Sequence, residues 1–359
     1  MNLLDNLIQT EIAPPPGSSP KAKETLSEDF DLNHLLKLSR NFQDENIFRS
    51  WWELFTTALF VALCFSFTLP VFPLAIQILG SIAFGISLVR PFILYHDVLH
   101  GGIFRESKWG RGLTHLMGYF VLRPPAEWNR SHNFHHLHNT QIKTSHIGSY
   151  PLFTEEDYKN AKPLQKGIYR FARGPWVIIF GYFFVFAFEA FNKLSGHGPV
   201  IRRQSALAIA AHGALFFLLF YFGGLSQAFI SMIIPLQVAC ALGAYLFYVQ
   251  HNFEGAALRE DDSWDYAQSA MVSSSCLRAP KWFHWLTGNI GFHHIHHLNP
   301  KVPFYNLPKA HAETPEFQGC TYVGLSPKEI IHSLKLKIWS PKKNSWVDFD
   351  GNPIPKFSP

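Results

Sequence analysis

The chain has 359 residues, of which 47% are hydrophobic and only 16% charged, well below the usual charged share of about a quarter. Its 34 Phe and 10 Trp suit a lipid boundary as well as a core, so segment lengths must decide between a membrane protein and a soluble one with a large aromatic interior. A net charge of +5 without a run of five basic residues excludes a nucleic-acid partner. The cysteines Cys64, Cys240, Cys276 and Cys320 form no CxxC pair and no disulfide framework, and read as isolated buried thiols of a reducing compartment.

Residues 1–49 read as a polar cytoplasmic region whose first 24 residues, rich in Pro and Ser, are expected to be disordered. Thr25 and Glu28 offer a capping box to a short helix through His34 and Leu36. The start, MNLLDNLIQTEIAPPPGSSP, has no basic segment leading into an apolar one, so no signal peptide is expected and insertion falls to internal segments. From Leu54 to Val89 there are 36 residues without an acid or base, interrupted by LPVFP at 69–73. One crossing needs about 20 apolar residues, so this stretch predicts a helical hairpin with spans near 52–70 and 73–95.

Gln204 to Phe253 is a second uncharged stretch, 50 residues with Gly223 and Gly224 near its middle, and predicts a second hairpin with spans near 204–222 and 226–249. Between the hairpins, Gly174 to Phe188 is uncharged for only 15 residues, which predicts an interfacial segment over about 174–191 rather than a crossing. The turns LPVFP and GGLS carry no charge, whereas Lys21, Lys23, Arg40, Arg49, Arg105, Arg111, Arg202 and Arg203 lie on the opposite side, so both termini are expected in the cytoplasm. After about Asp261 the chain becomes mixed and polar. SPKEIIHSLKLKIW from Ser326 predicts a capped amphipathic helix within a cytoplasmic C-terminal region, 311–359. The fold class is thus an all-α integral membrane protein: two transmembrane hairpins, four spans, over the 50–310 domain, with a cytoplasmic helical cap.

Nineteen histidines are present, and many fall in HDVLH (96–100), SHNFHHLH (131–138) and GFHHIHH (291–297). At this frequency an HxxxH pair arises about once by chance and a given HxxHH triple about 0.05 times, so the weight lies on His132/His135/His136 and His293/His296/His297 rather than on His96/His100. On a helix, residues i, i+3 and i+4 share a face, so each triple can aim imidazoles at one place. Neutral imidazole ligates Fe, Zn, Cu or Ni, and eight such rings exceed what one tetrahedral ion uses, so two metals are the simpler supposition. The first box follows the second span, the second lies in the next loop and the third follows the fourth span. All three therefore emerge on the cytoplasmic face, provided that residues 174–188 do not cross.

The boxes HDVLH, HNFHH and HHIHH, in this order between paired spans, resemble the membrane fatty-acid desaturase family. The likeness extends through VQHNFE (249–254) and TGNIGFHHIHHLNPKVPFYNL (287–307) and is to the bacterial and cyanobacterial acyl-lipid desaturases, the delta-12-like group, over roughly residues 50–310. It implies two iron ions held by His96, His100, His132, His135, His136, His293, His296 and His297, with His251 as a ninth ligand. It also implies O2 as co-substrate, introduction of a cis double bond into an acyl chain of a membrane lipid, and an external electron donor, ferredoxin or alternatively cytochrome b5. No GxGxxG fingerprint or CxxC cluster provides an electron route within the chain itself. Asp97, His138, Glu254, Asn289 and His294 adjoin the boxes and are candidates for holding ligand imidazoles. His212 alone in an apolar helix reads as a neutral ring bonded within the bundle, and His115, His146, His197 and His284 as structural or surface residues. Trp128, Trp264 and Trp285 could equally be interfacial anchors. Two alternatives stand beside the desaturase: a di-iron hydroxylase or carotenoid ketolase using the same ligands, and a histidine-rich metal transporter, against which the position of the boxes outside the spans argues.

Overall fold

The computed structural model describes residues 31–144 and 147–357; the Thr25/Glu28 cap, His146 and the first 24 residues lie outside them. The first described helix, Leu32–Arg40, begins at Asp31, whose carboxylate accepts from the backbone N–H groups of Asn33 and His34.

Among the described residues, three helices are long and apolar enough to cross a membrane: Ile47–Ser66, Leu74–Leu99 and Pro199–His251. The first starts about five residues before the expected span, at an Asn46 cap whose side chain accepts from the Arg49 N–H. Its polarity is inverted. Phe48, Trp52, Phe55, Leu59 and Leu63 form an exposed apolar stripe at helical spacing, while Ser50, Glu53 and Thr57 are buried inside. A water-soluble helix would bury the stripe; one surrounded by acyl chains exposes it, and the protein is a membrane protein on this ground. Glu53 is satisfied by the guanidinium of Arg90, which also bonds Thr57 and the carbonyl of Trp285 and lies 4.1 Å from the Trp285 ring centroid.

The second apolar helix is broken at Leu88 into Leu74–Ser87 and Val89–Leu99, because Pro91 has no N–H to offer the carbonyl of Ser87. The third reverses direction at Gly224, whose φ of 75° and ψ of 178° are non-helical and favour a residue without a Cβ. The two arms fold together: Phe216 and Phe229 lie 6.4 Å apart, and Ala208 shares a core with Met232, Leu236 and Cys240. The returning arm, Ile234–His251, packs on Leu74–Ser87 where Gly85 lets backbones meet: a Cβ there would fall 2.6 Å from the Pro235 carbonyl oxygen.

Residues 174–191 form the short helix Pro175–Ile179, a π-helical turn Tyr182–Ala187 and Phe188–Asn192. The apolar helix Tyr182–Asn192 extends about 16 Å, roughly half of a 30 Å hydrocarbon core. Trp176, Phe180, Phe183, Phe184, Phe188 and Phe191 are exposed along residues 174–191.

The C-terminal region corrects the all-α expectation. The Ser326 helix has its capping box with Glu329 but ends at Ser333, and Ile338–Ser340 pairs antiparallel with Ser345–Val347. β-branched and aromatic residues at Ile338, Trp339, Trp346 and Val347 fit a buried pleated ribbon better than another helical turn. A second pair, Cys276–Leu277 with Tyr322–Val323, is parallel, so the described residues are mostly helical with four short strands.

Candidate metal centre

The first box and His251 lie at the ends of apolar helices, and boxes two and three lie on two further short helices. His96 lies in the last turn of Val89–Leu99 and His100 caps it. His132, His135 and His136 lie on Pro125–His138, started by Pro125 at its first position. His251 is the final residue of the returning apolar arm, and His293, His296 and His297 sit on His293–Leu298. The approach to this third box is pinned from several sides. Gln250 donates to the Ile290 carbonyl, Tyr266 to that of His297, and Asn299 to Ser39 of the first described helix.

The nine predicted rings converge, and they do so as two groups. His96, His100, His132, His136 and His296 form one; His135, His251, His293 and His297 form the other, with the donor nitrogens in each group all within 4.8 Å of one another. Boxes two and three contribute reciprocally. The i, i+4 pair His132/His136 enters the first group and His135 the second, whereas His293/His297 enters the second and His296 the first. Nε2 atoms face each other at 2.6 Å (His96 and His132), 3.1 Å (His132 and His136), 3.2 Å (His136 and His296), 3.1 Å (His135 and His251) and 3.0 Å (His251 and His293). Two nitrogens each about 2.1 Å from one cation and at right angles lie about 3 Å apart, so the spacing fits ligation. Hydrogen bonding among the rings fits less well, because neutral imidazole has a single N–H and five rings cannot all donate inward. The Nδ1–H of His251 is directed instead to the Ser273 carbonyl, leaving Nε2 as the lone pair.

Burial, more than any neighbour, holds His132, His135, His136, His293, His296 and His297 well below the ordinary histidine range. Neutral, buried and convergent, these rings suit a transition metal.

Residues expected to hold the imidazoles make their hydrogen bonds elsewhere. Asp97 accepts the Phe304 N–H, tying the segment after box three to the helix of box one, and Asn289 donates to the Phe304 carbonyl, tying the same segment to the approach to box three. His138 bonds the Phe134 carbonyl and stacks on the Phe134 ring. Glu254 accepts from the Phe357 N–H and faces His332, and His294 donates to the Phe317 carbonyl. His212 lies between Phe120 and Tyr182. Sequence reasoning gave Trp128 no chemistry, yet its ring stacks on His132 at 4.8 Å and 9°; its place one helical turn before that histidine was the available signal.

Residues 72–326 match the family described as fatty acid desaturase. The chain is 34% identical to a fatty acid desaturase of Bacillus subtilis over 267 residues, covering 73% of this chain and 74% of the relative. It is 25% identical to an sn-1 oleoyl-lipid 12-desaturase of Picosynechococcus over 283 residues, 77% and 79% of the two chains, and 25% identical to an endoplasmic-reticulum omega-3 fatty acid desaturase of Vigna radiata over 238 residues, 61% and 59%.

Proposed function

The chain belongs to the fatty acid desaturase family, and from that premise we propose that it is an O2-dependent di-iron acyl-lipid desaturase that introduces a cis double bond into a membrane lipid's acyl chain. The observation that carries the di-iron reading is the division of nine histidines, eight buried and His100 half-buried, into two convergent groups. His96, His100, His132, His136 and His296 would hold one iron, and His135, His251, His293 and His297 the other. Iron bound there would activate O2 sufficiently to take hydrogen from an unactivated methylene, which no acid, base or nucleophile of the chain could do. In balance, one hydrogen leaves each of two adjacent carbons, and these two hydrogens, two electrons and two protons reduce O2 to two waters.

The protein's share is placement. Rings buried to this degree exclude water, and rigid helix ends fix their directions. The four arms of the two apolar hairpins are read as four crossings with both termini and the histidines on the cytoplasmic side, because the turns are uncharged and the basic residues lie opposite. Residues 1–49, 50–310 and 311–359 are the corresponding cytoplasmic, membrane and cytoplasmic regions. The shortness of Tyr182–Asn192 supports an interfacial course for 174–191. Electrons come from a separate protein, ferredoxin or alternatively cytochrome b5, whose acidic surface suits a basic face.

Expression of the full chain in a host with a simple lipid profile, followed by mass-spectrometric location of double bonds, tests this reading. A new cis double bond is expected; a product heavier by one oxygen would instead make the chain a hydroxylase.

A further inference from the structure

Cys276, Cys320 and His294 bring two sulfurs and one ring nitrogen within 4.8 Å of one another, and all three residues are buried. Backbone pairing creates the arrangement. Cys276 lies on a short strand between two neighbours: its N–H donates to the Thr321 carbonyl on one side, and the adjoining Leu277 N–H donates to the Gly291 carbonyl on the other. Cys320 enters from the first neighbour and His294 from the helix that continues the second.

The orientation of His294 separates it from the iron-binding rings. Its Nε2–H donates to the Phe317 carbonyl at 2.8 Å, which leaves Nδ1 as a lone pair, and this atom is buried without a hydrogen-bond partner among the described residues. Its ring neighbour is His311, 5.5 Å away, outside both histidine groups. His311 directs Nε2 to the Tyr322 hydroxyl, and its own Nδ1 is likewise buried and unpartnered among those residues.

We propose that Cys276, Cys320 and His294 form a further metal site, distinct from the nine histidines, that takes one thiolate-preferring cation of the zinc type, its fourth position open to water or to His311, whose ring lies 5.5 Å from that of His294. Two sulfurs and imidazole nitrogen make a donor set that zinc favours in closed tetrahedral sites. The site shares no ligand with the two histidine groups, and its ligands join three separate segments. Its role is to staple the chain around Tyr322 to the strand beside box three, as structural zinc does in small domains.

The test uses the full chain purified in mild detergent, with metals measured by plasma mass spectrometry. Wild type is expected to hold one zinc per chain, Cys276→Ser and Cys320→Ser to lose it to background, and Cys64→Ser to keep it. Adding Co2+ to metal-free wild type guards against variants that fail to fold. A sulfur-to-cobalt charge-transfer absorption is expected, and it cannot arise at the iron positions because those groups contain no sulfur. Wild type that lacks both zinc and this absorption, or an intact mass two hydrogens lighter from a Cys276–Cys320 disulfide, overturns the proposal.

Discussion

Acidifying the metal-free protein should unfold it abruptly. Six rings outside the apolar helices, His132, His135, His136, His293, His296 and His297, are held by burial well below the ordinary value of 6.5. In the unfolded chain each takes a proton near that value, so the folded state binds fewer protons. Stability is therefore complete above about pH 6.5 and is lost as the pH falls below it. Between about pH 7 and pH 5.5 the loss is a little over 1 kcal/mol per ring, about 7 kcal/mol for the six. A domain's whole stability is about 5–15 kcal/mol, so the transition should fall near pH 5 to 6. Chelator-treated protein in mild detergent, followed by near-ultraviolet circular dichroism and size exclusion across pH, provides the assay. Returning iron should move the midpoint lower, because metal and proton compete for the same nitrogens. Metal-free protein that keeps its fold to about pH 4.5 would refute the reasoning, since the rings would then be hydrated and free to charge.

Other outcomes follow from named contacts. His293→Ala should abolish desaturation with the protein still inserted and cut bound iron by about half, because the second group falls from four donors to three; metal content and product assays on the same preparation check it. Glu53→Leu should lower stability by about 3–5 kcal/mol by leaving the Arg90 guanidinium uncompensated, while adding Arg90→Met should restore most of it. Thermal unfolding of the single and double variants in detergent reads the difference. Gly85→Val should cost about 1–3 kcal/mol or more, since even its Cβ meets the Pro235 carbonyl at 2.6 Å, whereas Gly213→Val, whose Cβ meets nothing within 4 Å, should be nearly neutral by the same measurement.

Features written in local spacing were the legible ones. HxxHH on a helix dictates which rings share a face, and long uncharged runs with LPVFP and Gly223/Gly224 at their centres dictate helices that turn back. What pairs across distance was hidden. No spacing reveals that His135 leaves the side of its neighbour His136 for that of His251, because this depends on how Pro125–His138 is rotated against the returning arm. Cys276 and Cys320 read as isolated because a parallel ribbon, not a local motif, brings them together. Asp97 and Asn289 were expected at imidazoles by adjacency, yet both reach the Phe304 backbone, whose unpaired groups after a short helix compete for the nearest polar side chains. The run to Trp339 kept its helical period in sequence, but the long-range partners Trp346 and Val347 override it after Ser333.

The reciprocal contribution of boxes two and three also sets an order of assembly during synthesis. Each group draws donors from both boxes, so neither can close while the third box is still inside the ribosome. A chain interrupted before His293 therefore leaves both groups incomplete, the first without His296 and the second with only His135 and His251, so full metal capture becomes a late event. Full metal content in a population of nascent or truncated chains would thus report completion of the third box.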